Sequence, residues 1–255
     1  QNDDQRIVFA IPYLGKYTLI GTTDREYQGD PNQVEISQAE IDYLIDVSND
    51  HFKIQIQASD IVSTYSGVRP LCDDESDNPA AITRDYTLVL SQEHADEAPL
   101  LSVFGGKLTT YRKLAESAMG HVKKFFPELG VSWTEKSVLP GAENLISLDT
   151  LITEIEEKIK GIDAETAQRW AHAYGTRVWT MLGEATSVHA LGQDFGCGLY
   201  AQEVDYLVEA EWAMTSQDIL RRRTKLYLEF DLVQVVGLDQ YLLELHERRL
   251  QQNVA

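Results

Sequence analysis

The sequence predicts an α+β protein: a mixed sheet with helices in the first half, followed by an all-α second half. Three observations carry this. Short segments before residue 105 are rich in β-branched and aromatic residues, with period-two patterning. Beyond about residue 145 the apolar spacing changes to that of helices. Between them, from Pro127 to Leu145, the chain carries turn residues such as Pro140-Gly141 and little period. The expected organisation is therefore a first domain over 1–126, a linker over 127–145 and a helical domain over 146–255.

Taken in order, Ile7, Phe9 and Ile11 alternate with Val8 and Ala10, Leu14-Gly15-Lys16 turns the chain, and Tyr17-Thr18-Leu19-Ile20 returns as the second strand of a hairpin. Ser37-Gln38-Ala39-Glu40 is a capping box, in which Ser and Glu each satisfy an orphan backbone donor. The helix it opens carries Ile41, Leu44 and Ile45 on one face and ends near His51. Three strand-like segments follow: Ile61 to Tyr65, Ile82 to Leu90 after the acidic loop 73–77, and Leu100 to Phe104. The last is continuously apolar, as expected of a strand buried on both faces. It runs through Gly105-Gly106-Lys107 into a helix whose face holds Leu108, Tyr111, Leu114, Ala118, Val122 and Phe125, stopped by Pro127. In the second half, Leu148, Leu151, Ile152, Ile155 and Ile159 share a face, with Gly161 as C-cap. Asp163 caps a helix carrying Ala167, Trp170, Ala171 and Tyr174 inward and Gly175 at its end. Val204, Leu207, Val208 and Trp212 mark another, and Thr215-Ser216-Gln217-Asp218 opens one more.

Bulk properties exclude several classes. With 255 residues, 43% hydrophobic and 25% charged, the chain is of globular and not disordered composition. No apolar run reaches the roughly 18 residues of a membrane helix. The start, Gln1-Asn2-Asp3-Asp4, is unlike a secretory signal, and its lack of a Met fits a fragment or a processed chain. The net charge of −19 is spread evenly, with 11 basic against 20 acidic residues in 1–126 and 11 against 21 thereafter. Such a surface repels nucleic acid. The exception is Arg221-Arg222-Arg223 with Lys225. Cys72 and Cys197 are distant, no CxxC occurs, and the six His lack ligand spacing, so neither a disulfide framework nor a metal site is expected.

The junction at 101–112 is the most informative spot. Two glycines let a ligand approach the backbone, a helix start offers N–H groups and a partial positive charge, and Lys107 adds a full one. Phosphate or a reduced flavin ring suits such a place. A P-loop is excluded, because Leu101 stands where its first Gly is required. The plainer reading is a tight strand-to-helix turn with a surface Lys. Arg69, stiffened by Pro70, and Arg84 stand at neighbouring strand ends and could fork around an anion. The plainer reading pairs each with a local carboxylate, such as Asp85 or the 73–77 loop. Neither Gly-x-Gly-x-x-Gly nor Gly-x-Ser-x-Gly occurs, so the dinucleotide fingerprint and the hydrolase elbow are both absent from this sequence.

Together, Ser66-Gly67-Val68-Arg69-Pro70-Leu71, Ile82-Thr83-Arg84-Asp85-Tyr86 and Phe104-Gly105-Gly106-Lys107-Leu108-Thr109-Thr110-Tyr111-Arg112 resemble the C-terminal portion of the aerobic, FAD-dependent glycerol-3-phosphate dehydrogenases. Ile219-Leu220-Arg221-Arg222-Arg223-Thr224-Lys225-Leu226 is similar to their cap-domain signature. The resemblance implies a partial FAD and substrate domain without its Rossmann unit, then a helical cap, with the isolated chain inactive. The whole enzyme would use FAD to oxidise sn-glycerol 3-phosphate to dihydroxyacetone phosphate and pass electrons to a quinone. It would be cytoplasmic and peripheral to the inner membrane, and a homodimer is compatible. By resemblance, Gly105, Gly106, Lys107, Leu108 and Thr109 line the flavin. Thr22, Arg69 and Arg84 face the substrate, and Arg69, Arg84 and Lys107 form the catalytic set. Two other readings stay open: an oxygen-using glycerol-3-phosphate oxidase, and a non-catalytic helical module contacting a partner through Arg221–Arg223.

Overall fold

A computed structural model describes Asp4 and residues 6–69, 85–92, 94 and 96–254. The expectations for Arg84, for the 73–77 loop and for the start of the strand at Ile82 fall outside these residues. The chain divides into two units, Gln1–Lys136 and Ser137–Ala255.

The first unit opens with the expected hairpin. Strands β1 (Phe9–Tyr13) and β2 (Tyr17–Gly21) pair antiparallel, with Phe9 opposite Gly21 and Tyr13 opposite Tyr17. Gly15 at the turn has φ +70°, a conformation that glycine adopts without cost. Helix α1 (Gln38–His51) starts at the capping box: Ser37 Oγ accepts from the Glu40 amide and the Glu40 carboxylate accepts from the Ser37 amide. It ends where expected, and the Phe52 amide closes the last turn on the Ser48 carbonyl.

The strand expected over 61–65 does not form. That segment has no ladder partner among the described residues, and a strand exists only when paired. Strands β3 (Thr87–Ser91) and β4 (Leu100–Phe104) form a second antiparallel pair, Thr87 opposite Phe104 and Ser91 opposite Leu100. The α+β class holds, but the described sheet consists of two separate two-stranded ribbons and not one mixed sheet. β4 is also not buried on both faces, since Leu100, Val103 and Phe104 are exposed. Its apolar run belongs to a strand that has one neighbour here. Helix α2 (Tyr111–Val122) follows after an intervening 3-10 turn, Leu108–Thr110.

The second unit is helical: α3 (Leu148–Lys158), α4 (Ala164–Tyr174), α5 (Val178–Leu182), α6 (Ala201–Ala210) and α7 (Leu232–Val254). Only isolated bridges, Lys160 with Ser187 and Asp194 with Tyr200, interrupt this among the described residues. Asp163 caps α4 by accepting from the Thr166 amide at 2.8 Å. Gly175 ends it at φ +53°, where a Cβ would collide with the Gly141 carbonyl. Gly161 is not the cap of α3. The helix closes through the Ile159 amide on Ile155 O, and Gly161, at φ +90°, turns the chain beyond it. Trp212, expected on the inner face of α6, lies past the helix end and is 84% exposed. The helix opened at Thr215 widens into a π-helix over Asp218–Arg223, with the Thr224 amide reaching Ile219 O five residues back.

Among the described residues, all 24 buried apolar residues lie in this second unit, between Leu151 and Leu242, so the hydrophobic core described here is that of the helices. Four buried polar residues, Thr166, Glu203, Ser216 and Thr224, accompany it, and Glu203 is the charged one. Glu203 is fully buried and receives four donors: Arg169 Nη1 (2.5 Å) and Nη2 (2.8 Å), Trp170 Nε1 (2.8 Å) and Tyr174 Oη (2.6 Å). Burial, with the Glu203 charge beside it, pushes the Tyr174 hydroxyl well above the usual tyrosine range.

Candidate functional site

The first unit contains the sequence-predicted site residues, and its backbone shows why glycines stand where they do. β4 ends at Phe104, after which Gly105 (φ +67°) and Gly106 (φ +104°) occupy conformations that side chains resist. A Cβ on Gly106 would also press on Leu114 Cδ1 at 3.2 Å and on Tyr86 Cβ at 3.5 Å. The glycine pair thus turns the strand sharply toward α2 while keeping the backbone bare.

Lys107 does not itself begin the helix, contrary to the simplest reading of the Gly-Gly-Lys string. Its amide donates to Thr110 Oγ1 (3.3 Å), and its carbonyl accepts from the Thr110 hydroxyl and amide, both at 3.0 Å. This closes the 3-10 turn Leu108–Thr110 before α2 starts at Tyr111. Thr110 provides no side-chain cap, and the first turn of α2 holds no acidic residue. Lys107, Arg112 and Lys113 cluster there, which opposes the helix dipole and favours an anion. The carboxylate Glu116 answers from one turn on, 2.8 Å from Arg112 and 3.3 Å from Lys113. Hydrogen bonds from Thr134 and Ser132, aided by these two cations, hold its pKa down at about 2. Leu108 and Thr109 are exposed, Leu108 to 88%, so an apolar side chain stands in the open beside the cationic Lys107.

Arg69 lies at the end of the segment that follows Ile61 and forms an ion pair, as the plainer reading proposed, but with a different partner. Its Nη1 lies 2.8 Å from Asp24 Oδ1. Asp24 ends the Gly21-Thr22-Thr23-Asp24 turn after β2, so the pair brings Arg69 to the turn that carries Thr22, which is exposed. The turn is itself fastened to α1: Thr23 Oγ1 donates to Glu40 Oε1 (2.6 Å), and Arg25 donates to Ser37 Oγ (3.3 Å). Burial raises the Glu40 pKa, but the bonds from Thr23 and Ser37 outweigh it and hold the carboxyl below its usual range. Sequence reasoning missed Asp24 and the second role of Glu40. The signal present was the acidic residue two places after Thr22 in a turn already singled out. Among the described residues no group of His, Cys, Asp and Glu is placed to hold a metal ion, and no helix is long and apolar enough to cross a membrane.

The basic cluster of the second unit is engaged locally. Arg222 pairs with Asp218 (3.0 Å), Arg223 lies 3.7 Å from Glu211, and the Arg221 guanidinium stacks 4.5 Å above Tyr227.

Comparison with known proteins covers both units. A family model described as FAD dependent oxidoreductase matches residues 1–112, and one described as the C-terminal domain of alpha-glycerophosphate oxidase matches 132–240. The glycerol-3-phosphate dehydrogenase of Pseudomonas aeruginosa is 56% identical over 98% of this chain and 48% of its own length. The aerobic glycerol-3-phosphate dehydrogenase of Escherichia coli is 48% identical over 98% of the chain and 50% of its own. A D-erythritol 1-phosphate dehydrogenase of Brucella abortus is 42% identical over 89% of the chain and 45% of its own. The chain therefore spans about half the length of the curated relatives it matches. With both of its units matched in order, the chain belongs to the FAD-dependent oxidoreductases of the glycerol-3-phosphate dehydrogenase family.

Proposed function

We propose that this chain supplies the substrate side of the flavin site, over about residues 1–126, and a helical cap, from about residue 146, to an FAD-dependent glycerol-3-phosphate dehydrogenase. The observation that carries the reading is the pairing of Arg69 with the Thr22 turn. Through Asp24 it ties a guanidinium to the turn that carries the exposed Thr22, in a chain otherwise dominated by carboxylates.

The second support is the surface of the first unit. Among its described residues only Ser48 is buried, while Phe9, Ile11, Val89, Val103, Phe104 and Leu108 are all exposed. A unit that buries so little apolar area lacks the main driving force for folding by itself. In the working protein that surface is covered, and a protein of the relatives' length has the chain to cover it.

The residues around Gly105 fit a flavin. Bare backbone at the glycine pair, the apolar side chain of Leu108, Thr109 and the Lys107 cation together suit a flat ring that gains negative charge on reduction. When bound, FAD supplies the hydride acceptor. Arg69, together with Arg84, holds the substrate phosphate and so orients the C2–H bond. Thr22 hydrogen-bonds the substrate, and Lys107 offsets charge at the far side of the site. A quinone acceptor, peripheral attachment to the inner membrane and a homodimer complete the proposal for the whole protein. The likeness of residues 132–240 to the C-terminal domain of alpha-glycerophosphate oxidase favours one rival, an oxygen-using oxidase.

The test is anaerobic mixing of the full-length flavoprotein with sn-glycerol 3-phosphate. Bleaching of the flavin absorbance is the expected result, followed by reoxidation with a quinone analogue faster than with oxygen. Faster reoxidation by oxygen would establish the oxidase, and an unbleached flavin would remove the substrate assignment.

A further inference from the structure

We propose that Asp24 is a positioning residue for the substrate phosphate: it grips one edge of the Arg69 guanidinium and aims the remaining donors at the anion. The idea rests on the reading of Arg69 as a substrate-binding residue given above.

The geometry supports it in three steps. First, Asp24 Oδ1 meets Arg69 at the terminal nitrogen Nη1, 2.8 Å away. An arginine carries five N–H donors in a rigid fork, so a carboxylate on one terminal nitrogen leaves the other terminal N–H groups for a second anion. Second, the pair is open, with side-chain exposures of 44% for Arg69 and 53% for Asp24. An ion pair this open does little for stability, which leaves its geometry as its main effect. Third, Asp24 is not on a free loop. Thr23 is bonded to Glu40, and Glu40 is fixed by the capping box of α1 through two bonds from Ser37. The N-terminus of α1 therefore sets Thr23, Thr23 sets Asp24, and Asp24 sets Arg69. A half-exposed arginine side chain loses much rotamer entropy on binding an anion. Prior restraint by Asp24 removes part of that loss and lowers KM.

The experiment uses steady-state kinetics of the full-length flavoenzyme with sn-glycerol 3-phosphate, comparing D24N, D24E and R69A with the parent. D24N is expected to raise KM about three- to tenfold with kcat within twofold, because orientation in the ground state is lost and the hydride step is untouched. D24E, which keeps the carboxylate, is expected to recover at least half of that loss. Flavin content and Tm should match the parent in both variants. A D24N enzyme with parental KM beside an R69A enzyme with raised KM overturns the proposal and leaves the Arg69 reading standing. A lowered KM in D24N also overturns it, since Asp24 would then compete with the phosphate. Parental KM and kcat in R69A would remove the Arg69 reading itself. A fall in flavin content or Tm in D24N that D24E does not repair would reduce Asp24 to a structural contact.

Discussion

The buried carboxylate of Glu203 allows a sharp prediction, because its surroundings are fully specified. Replacing Glu203 by Gln keeps the shape and removes the charge. Its two oxygens accept four donors, two of them from one guanidinium. An amide can present one oxygen only, so the donors at its other end face an NH2 group. Arg169, whose side chain is only 15% exposed, is left without its counter-charge. Breaking one partner out of a buried pair costs about 3–5 kcal/mol. For a helical unit of this size, each kcal/mol lowers Tm by about 4 °C, so a drop on the order of 10–20 °C is expected. Circular dichroism at 222 nm during a thermal ramp follows the helical unit directly. A Glu203→Gln chain that melts within about 3 °C of the parent, roughly 1 kcal/mol, would refute the argument. The Arg169→Ala variant should lose a similar amount, and the double variant less than the sum, because both changes remove one network.

Three further outcomes are expected. Glu116 has a pKa held at about 2 against an ordinary 4.5, so its folded pKa is depressed. Its contribution is therefore present above the unfolded value and is lost as pH falls through the folded one; acid titration should show Glu116→Gln flattening the stability profile between those values, and an unchanged profile would exclude the role. Gly106→Ala forces a side chain into φ +104° and against Leu114, and it should destabilise the first unit by about 1–3 kcal/mol, with parental chemical denaturation counting against the turn geometry. Expressed alone, the chain should purify without stoichiometric flavin, having no pyrophosphate fingerprint, and a visible spectrum of a fully loaded yellow protein would contradict this.

How much of the site was legible varied with the range of the interaction that made it. The glycine pair and Lys107 could be read as a turn toward a helix, yet the inserted turn at Leu108–Thr110 could not, because it depends on the Thr110 hydroxyl bonding back to Lys107 in preference to extending α2. Arg69 could be marked as an anion-binding candidate, and its pairing with a carboxylate was weighed. The choice of Asp24 over nearer acids was invisible, since 45 residues separate them and a −19 chain offers many acids.

The sequence by itself determined what is settled within one turn of chain. The Ser37 and Asp163 caps, the Leu14–Lys16 reversal and the period change past Leu145 each follow from bonds or faces that span three or four residues. The tertiary structure alone decided the rest: that the 61–65 segment finds no ladder among the described residues, that Trp212 turns outward, that Glu203 gathers Arg169, Trp170 and Tyr174, and that Arg69 meets Asp24. Strand pairing and charge pairing are contests among many distant partners of nearly equal intrinsic strength. Such contests are won by which groups the packed chain brings within about 3 Å, and no local pattern encodes that.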